Sequence, residues 1–171
     1  MENEKKERRI MIAVDEGEES MYALEWALDN LVQKNHGNDE SLKHDRIIVV
    51  HAENQTAIAG QVALTPHVME VIERRQKLNT ERVLSNAKAI CDQRNVNIET
   101  KMATGDARYA ICEAAEKLNV NLLIVGSRGY GAIRRAVIGS VSNYCAHHAK
   151  CPVLIVKRQT QKPNEVQSSV W

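Results

Sequence analysis

The sequence predicts an α/β protein with a five-stranded parallel sheet and helices on both faces of the sheet. Apolar segments of strand length alternate along the chain with segments of helical periodicity. Most of the strand segments are continuous apolar runs, which is typical of parallel strands that crossover helices bury on both faces. Right-handed crossovers are expected between successive strands.

The predicted elements follow one another in the order expected of this class. Strands are predicted at residues 9–14, 46–52, 95–102, 120–125 and 152–156, and the third of them alternates between apolar and polar residues. Helices are predicted from Met21 to about Lys34, from Pro66 to about Cys91, from a cap at Gly105 and Asp106 onward, and from Ser140 to about His148. Residues 54–66 and 128–138 are expected to be connections.

Length and composition indicate a single domain. The chain has 171 residues, of which we expect 1–158 to form the domain and 159–171 to be a disordered polar tail. The net charge is +1 with both signs interspersed, which argues against a nucleic-acid or membrane-surface partner. The charged N-terminus is unlike a secretory signal, and no apolar run approaches the roughly 20 residues of a membrane span. A cytoplasmic or nuclear location is therefore expected.

Two glycine-containing segments after the fourth predicted strand form the most informative motif. Gly126-Ser127-Arg128-Gly129 comes first, nine residues intervene, and Gly139-Ser140-Val141-Ser142 then opens a helix. Glycines at a strand end allow a ligand to approach closely, and a helix N-terminus offers N–H groups to an anion. The motif predicts a nucleotide cradle, with ribose and first phosphate at Gly126 and Gly129 and outer phosphates at Gly139 and Ser140. A turn and a helix cap without a ligand are the alternative.

Three predicted strand ends support a site at this place. Asp15, Ala52 and Gly126 each lie at the C-terminal end of a predicted strand. Ligands of open parallel sheets bind at this edge, near the topological switch point. The motif itself is neither a P-loop nor a dinucleotide-binding fingerprint.

The two segments resemble the ATP-binding signature of the universal stress protein family, G-x-x-G, nine residues, G-[ST]. The resemblance extends to Ala13-Val14-Asp15 and to residues 22–28 and 151–157, and it covers about residues 8–158. Within the family, these segments resemble the plant single-domain branch. The resemblance implies an adenine nucleotide α-hydrolase-like, Rossmann-like sandwich that binds ATP, or AMP or ADP, with Mg²⁺ on the phosphates.

The resemblance also implies roles for individual residues. Asp15 would accept hydrogen bonds from the ribose hydroxyls or the adenine edge, Ala52 would meet adenine through its backbone, and Val125 would pack against the base. Gly126 and Gly129 would lie against ribose and α-phosphate, and Gly139, Ser140 and Val141 would hold the outer phosphates. Ala13, Val14, Arg128 and Ser142 complete the candidate nucleotide site.

Three features of this candidate site leave alternatives open. Many family members carry serine at the position of Gly17, so a hydroxyl contact near the phosphates is missing here. Arg128, Arg134 and Arg135 either clamp phosphates or form a solvated basic loop. Asp15 either contacts the ligand or is the N-cap of the first helix, and the two roles are compatible.

The resemblance implies a nucleotide-binding protein of stress response or signalling, with at most slow ATP hydrolysis. A slow ATPase is one alternative, for which Glu16, Glu18 and Glu19 are candidates only because they are close to Asp15; acidic residues are also typical of a helix start. A redox-dependent chaperone that acts through Cys145 or Cys151, without nucleotide, is the other. Buried, inert thiols are the simpler interpretation of the cysteines.

Histidines and the last strand carry the remaining predictions. His147-His148-x-x-Cys151 allows a zinc interpretation, but histidines at a helix end more often interact with the helix dipole. His51 is expected to be a packed core residue. The apolar strand at Val153–Val156 is expected at a sheet edge, where exposed strands tend to pair. In the resembled family this strand often pairs across a two-fold axis, which implies a homodimer.

Overall fold

The computed structural model describes residues 7–32, 45–53, 65–128 and 138–158, in which five strands alternate with four helices. The strands are β1 (Arg9–Ala13), β2 (Arg46–Glu53), β3 (Ile98–Thr104), β4 (Leu122–Gly126) and β5 (Val153–Val156). The helices are α1 (Glu18–Asn30), α2 (Pro66–Asp92), α3 (Ala107–Lys117) and α4 (Ser140–His148). The predicted tail and most of the two predicted connections, residues 54–64 and 129–137, lie outside the described residues.

All strand pairings within the described residues are parallel, in the order β3-β2-β1-β4-β5. This confirms the predicted five-stranded parallel sheet. Strand β1 is central, since Met11 pairs with Ile48 of β2 on one side and with Leu123 of β4 on the other. The sheet grows in one direction from β1 to β3 and in the other from β4 to β5, so the switch point lies between β1 and β4.

Helices cover both faces of the sheet, as predicted. Ile10 and Ile12 of β1 pack with α1 and α2, whereas Met11 and Ala13 pack with α3 and α4. This alternation follows from the period of two along a strand. Because both sets of side chains are buried, the strand appears in the sequence as a continuous apolar run. No helix in the described ranges is both long enough and apolar enough to cross a membrane.

Several predicted boundaries were wrong by a few residues. Strand β3 begins at Ile98 rather than at residue 95, because Asn95 has φ 55° and the N–H of Val96 returns to the carbonyl of Cys91 at the end of α2. Helix α1 begins at Glu18, before the expected Met21, and ends at Asn30. The predicted cap of α3 is confirmed, since the Asp106 side chain accepts from the Arg108 N–H at 2.9 Å.

Candidate functional site

An apolar niche of about 80 Å³ lies at the C-terminal ends of β1 and β4. Its apolar side chains come from Ala13, Val14, Ala52, Ala107, Ile111, Val125 and Val141, and its polar or backbone border from Asp15, Ser20, Gly126, Arg128 and Ser142. The fold thus brings nine of the predicted site residues to one place. Gly139 and Ser140 lie at the start of α4, beside the niche but not in its lining, and Gly129, Arg134 and Arg135 lie outside the described residues.

The turn after β1 is held by the Asp15 carboxylate. Its Oδ1 accepts from the Gly17 N–H at 2.9 Å and from the Ser20 hydroxyl at 2.6 Å. Gly17 is the N-cap of α1 and supplies no side-chain cap, so the alternative that Asp15 is the N-cap was wrong. Ser20 is buried and also accepts from the Asp15 N–H at 3.0 Å. These bonds orient the carboxylate at the border of the niche.

Gly126 is required by the way α1 approaches the end of β4. A Cβ atom at this position would lie 2.9 Å from the backbone carbon and oxygen of Glu19 and 3.0 Å from the Ser20 nitrogen. Backbone atoms cannot move aside as the end of a side chain can, so a larger residue would push the helix away from the sheet. The glycine therefore has a packing reason that is independent of any ligand.

Glu19 joins the two sides of the switch point through its carboxylate. Its Oε2 accepts from the Ser127 hydroxyl at 3.2 Å and from the Arg158 N–H at 3.3 Å, and its Oε1 is 3.6 Å from the Arg128 guanidinium. The side chains of Arg128 and Glu19 are only 18% and 20% exposed, so Arg128 is not the solvated basic residue of the alternative. Arg158 also forms an ion pair with Glu18. The site therefore includes an acidic group next to its arginine.

The start of α4 is anchored to the residue that follows β4. The Gly139 N–H donates to the Ser127 carbonyl at 2.6 Å, and the Ser142 hydroxyl donates to the carbonyls of Ser127 and Gly139, each at 3.0 Å. Gly139 is the N-cap, and as a glycine it supplies no side-chain cap to the first N–H groups of α4. Such N–H groups and the helix dipole together favour an anion.

The histidines of the sequence analysis have helix carbonyls or core residues as neighbours. His51 is buried, and its Nδ1 donates to the Val14 carbonyl at 2.9 Å, as expected of a packed residue. The rings of His147 and His148, in the last turn of α4, donate to the carbonyls of Asn143 and Tyr144 one turn earlier. These bonds agree with an interaction at the helix C-terminus.

A larger groove of about 550 Å³ lies between α2 and Glu16, which belongs to the turn after β1. Arg75, Leu78, Asn79 and Arg82 are among its lining residues, and Asn79 and Arg82 both contact the Glu16 carboxylate. Ion pairs of this kind are typical of a solvated surface. The niche is smaller but lies at the switch point, where ligands of open parallel sheets bind, and we take it as the candidate site.

Sequence analysis missed three residues that line the niche, namely Ser20, Ala107 and Ile111, and it named Glu19 only as a hydrolysis candidate. Ala107 and Ile111 belong to α3, but the sequence does not say which face of the sheet that helix covers. Glu19 has the appearance of an ordinary first-turn acid, and no signal in the sequence predicts its contact with Ser127, 108 residues away.

Fold and niche together define a doubly wound α/β protein with a candidate ligand site at its switch point. The family model described as the universal stress protein family matches residues 7–157. The chain belongs to the universal stress protein family, which confirms the resemblance found in the sequence.

Relatives and a solved structure agree with this assignment. Universal stress protein YxiE of Bacillus subtilis is 30% identical over 149 residues, which cover 87% of this chain and 98% of that protein. The universal stress protein A-like protein of Arabidopsis thaliana is 26% identical over 82% of this chain and 79% of its own length. A crystal structure of a universal stress protein family protein from Arabidopsis thaliana, with AMP bound, matches with a TM-score of 0.62 at 24% identity, covering 89% and 92% of the two chains. The fold is thus of the adenine nucleotide α-hydrolase, Rossmann-like type.

Proposed function

We propose that this protein binds an adenine nucleotide, ATP or AMP, at the niche between β1 and β4, and that it acts in stress response or signalling. One observation carries the proposal: the apolar niche adjoins the start of α4, whose first N–H groups have no side-chain cap in the described residues. An apolar slot suits a base, and the helix start suits phosphate. AMP in the related Arabidopsis structure supports the same ligand class.

The size of the niche indicates which part of the nucleotide it takes. Its volume of about 80 Å³ is below the roughly 300 Å³ of the smallest typical ligand pockets. We therefore place the adenine between Val125, Ala52 and Ile111 and expect ribose and phosphates to extend towards α4. Asp15 would meet the ribose, Gly126 and Gly129 the α-phosphate, and Gly139, Ser140 and Val141 the outer phosphates. Arg128 would exchange Glu19 for a phosphate oxygen.

Mg²⁺ is proposed to enter with the nucleotide rather than before it. Among the described residues, no group of three His, Cys, Asp or Glu side chains could hold a metal ion. Asp15 is the carboxylate that lines the niche, but its Oδ1 already accepts hydrogen bonds from Gly17 and Ser20. The phosphates and water would supply the remaining oxygen ligands that Mg²⁺ requires. Mg²⁺ should then tighten ATP binding and leave AMP binding nearly unchanged. Titration of Mg²⁺ into the protein without nucleotide should release no heat.

The test is calorimetric titration of ATP and AMP, each with and without Mg²⁺, together with mass spectrometry of small molecules released by denaturing the purified protein. We expect a one-to-one complex that Gly139→Val weakens at least tenfold. Ala146→Val, on the exposed side of the same helix, is the matched control and should bind as the parent does. Absence of binding to a folded parent protein overturns the proposal. Conversion of ATP to ADP at a rate that Ser140→Ala abolishes would instead favour the slow ATPase.

We further propose a homodimer through β5. Both β3 and β5 are edge strands, but β3 carries the charged residues Glu99 and Lys101, whereas Val153, Leu154 and Ile155 of β5 are apolar and partly exposed. Charges protect an edge strand from pairing, whereas an apolar edge strand tends to pair.

The four free cysteines suit a reducing compartment, such as the cytoplasm or nucleus.

Light scattering of the purified protein tests the dimer. The carbonyls of Pro152 and Val156 accept from the N–H groups of Leu123 and Ser127, so the N–H of Ile155, on the alternate side of β5, faces outward. Ile155→Pro removes this outward donor and should give a monomer. Lys101→Ala, at the opposite edge, is the control and should leave the mass unchanged. A monomeric parent protein at micromolar concentration would contradict the proposal.

A further inference from the structure

Helices α3 and α4 bring two thiols together on one face of the sheet. The Sγ atoms of Cys112 and Cys145 are 3.7 Å apart, although 33 residues separate them in the chain. Cys145 is fully buried, and Cys112 is partly exposed. We propose that these two residues are a modification site, at which a hydroperoxide forms an intramolecular disulfide that joins α3 to α4.

The geometry requires only a small approach of the two sulfur atoms. A disulfide has an S–S distance of about 2.0 Å, so the separation must shorten by less than 2 Å. Cys112 and Cys145 belong to a single packed cluster, and the two helices are in direct contact. We expect rotation of the partly exposed Cys112 side chain, with a slight shift of α3, to bring the two sulfur atoms together.

The chemistry begins at Cys112, because it is the member of the pair that solvent reaches. Its thiolate attacks a peroxide oxygen and breaks the O–O bond, which gives a sulfenic acid at Cys112 and, after protonation of the leaving hydroxide, water. The Cys145 sulfur then attacks Cys112 Sγ and breaks the S–O bond. The displaced hydroxide takes the Cys145 proton and leaves as a second water. Two thiols and one hydroperoxide thus give one disulfide and two waters when the oxidant is hydrogen peroxide.

Burial sets the rate of these steps. It raises the pKa of the Cys112 thiol and raises that of Cys145 to about 12. Since the thiolate is the reactive form, the disulfide should form slowly at neutral pH and about tenfold faster for each pH unit up to the Cys112 pKa. The site would respond to sustained rather than brief oxidation.

The other cysteines have different positions. Cys151 is partly exposed and packs against the same cluster, which makes it a competing partner for Cys112. Cys91 is buried on the opposite face of the sheet, among α2 residues. Full burial of Cys145 also blocks an intermolecular disulfide through this residue, as the chaperone alternative would need, unless the face opens.

The disulfide would also reach the candidate nucleotide site. Ile111, beside Cys112, and Ser142, one turn before Cys145, both line the niche. Closer approach of α3 and α4 narrows it, so we expect nucleotide affinity to fall about fivefold. This consequence rests on the proposed function, whereas formation of the disulfide does not.

Peptide mass spectrometry after hydrogen peroxide treatment is the test, because trypsin leaves each cysteine in a separate peptide. The pair should appear as a link between peptides 109–117 and 136–150 and disappear with dithiothreitol. Cys112→Ser and Cys145→Ala should each abolish the link, and the matched variants Cys91→Ala and Cys151→Ser should retain it. Cys112→Ser keeps the test valid if Cys145→Ala does not fold.

Three outcomes would overturn the proposal. They are a link of Cys112 to Cys151 in the parent protein, sulfinic acid at Cys112 without any link, and free thiols throughout a folded protein after prolonged treatment at pH 9. Titration of AMP and ATP into the oxidised and reduced forms then tests the consequence for binding. If the disulfide forms but neither the oxidised nor the reduced protein binds AMP or ATP, the nucleotide proposal fails and the disulfide proposal stands.

Discussion

The two faces of the sheet are built from side chains of different size. On the α1 and α2 face, large aliphatic residues such as Ile10, Ile12, Leu24 and Leu28 are completely buried. On the α3 and α4 face, small residues are frequent, and the buried or partly buried ones include Ala13, Ala52, Ala107, Ala114, Ala115, Cys112 and Cys145. Large side chains fill the first face, whereas the second face combines large residues, such as Met11, Ile48 and Leu123, with small ones that leave a niche. Stability should therefore depend mainly on one face, and ligand binding on the other.

Truncation of Leu28 is expected to distinguish the two faces most strongly, through its effect on the free energy of unfolding. Leu28→Ala removes a fully buried side chain far from the niche and should lower the free energy of unfolding by about 2–5 kcal/mol. Nucleotide affinity of the remaining folded protein should stay the same. Urea titration measures the free energy of unfolding, and calorimetry measures the nucleotide affinity.

On the opposite face, Ile111→Val should cost less stability, about 1 kcal/mol, but should weaken nucleotide binding. Equal effects of Leu28→Ala and Ile111→Val on nucleotide binding would contradict the assignment of stability to one face and ligand binding to the other.

Gly126→Ala should have the next largest effect, about 1–3 kcal/mol, because the new methyl group meets the backbone of Glu19 at 2.9 Å. Thermal unfolding measures the loss. Gly17→Ser is the control at a neighbouring glycine with φ −80°, which any residue adopts, and as an N-cap it should stabilise α1 by a few tenths of a kcal/mol. If Gly126→Ala is neutral, the close approach of α1 to β4 is not rigid.

Ser142→Ala tests the anchoring of α4. The variant loses the hydroxyl proton that is shared between the carbonyls of Ser127 and Gly139 in a buried environment, and should cost about 1–3 kcal/mol. Because these bonds position the helix start, AMP affinity should fall as well. Ser20→Ala loosens the opposite side of the niche, where the Ser20 hydroxyl holds the Asp15 carboxylate. It should weaken the binding of adenosine, which carries the ribose, more than the binding of adenine. Unchanged AMP binding in Ser142→Ala would show that α4 does not hold phosphate.

The smallest expected effect concerns Asp106, the N-cap of α3. Asp106→Ala should cost about 1 kcal/mol at neutral pH. The hydrogen bond from Arg108 lowers the pKa of the Asp106 carboxyl below its value in the unfolded chain. The contribution is therefore complete above the unfolded pKa of about 3.9 and disappears as the pH falls through the lower folded value. The stability difference between parent and variant, measured by urea titration from pH 6 to pH 2, should shrink accordingly.

The sequence predicted the fold well because its signals are local. Continuous apolar runs indicated β1, β2, β4 and β5, and the cap at Asp106 indicated the start of α3. The errors occurred where tertiary contacts decide. Asn95 adopts a positive φ at the end of α2, so β3 begins three residues later than its alternating pattern indicated.

The candidate site could be predicted only as far as strand ends and glycines allow. Nine predicted residues border the niche because C-terminal ends of parallel strands share one edge of the sheet. The contacts of Glu19 with Ser127 and Arg128 could not be predicted, since they depend on how closely α1 approaches β4. The pairing of Cys112 with Cys145 likewise depends on the packing of two helices rather than on sequence spacing.

The central position of β1 has a consequence for synthesis on the ribosome. Its pairing with β2 can form early, but Ile10 must wait for Leu122, 112 residues further along the chain. At about 5–20 residues per second, roughly 6 to 22 s pass before β4 is made. During this time one side of an apolar strand has no neighbour and is open to pairing with another nascent chain. Newly made protein therefore depends on rapid synthesis of the chain between β2 and β4, and slow translation of residues 54–122 should increase aggregation.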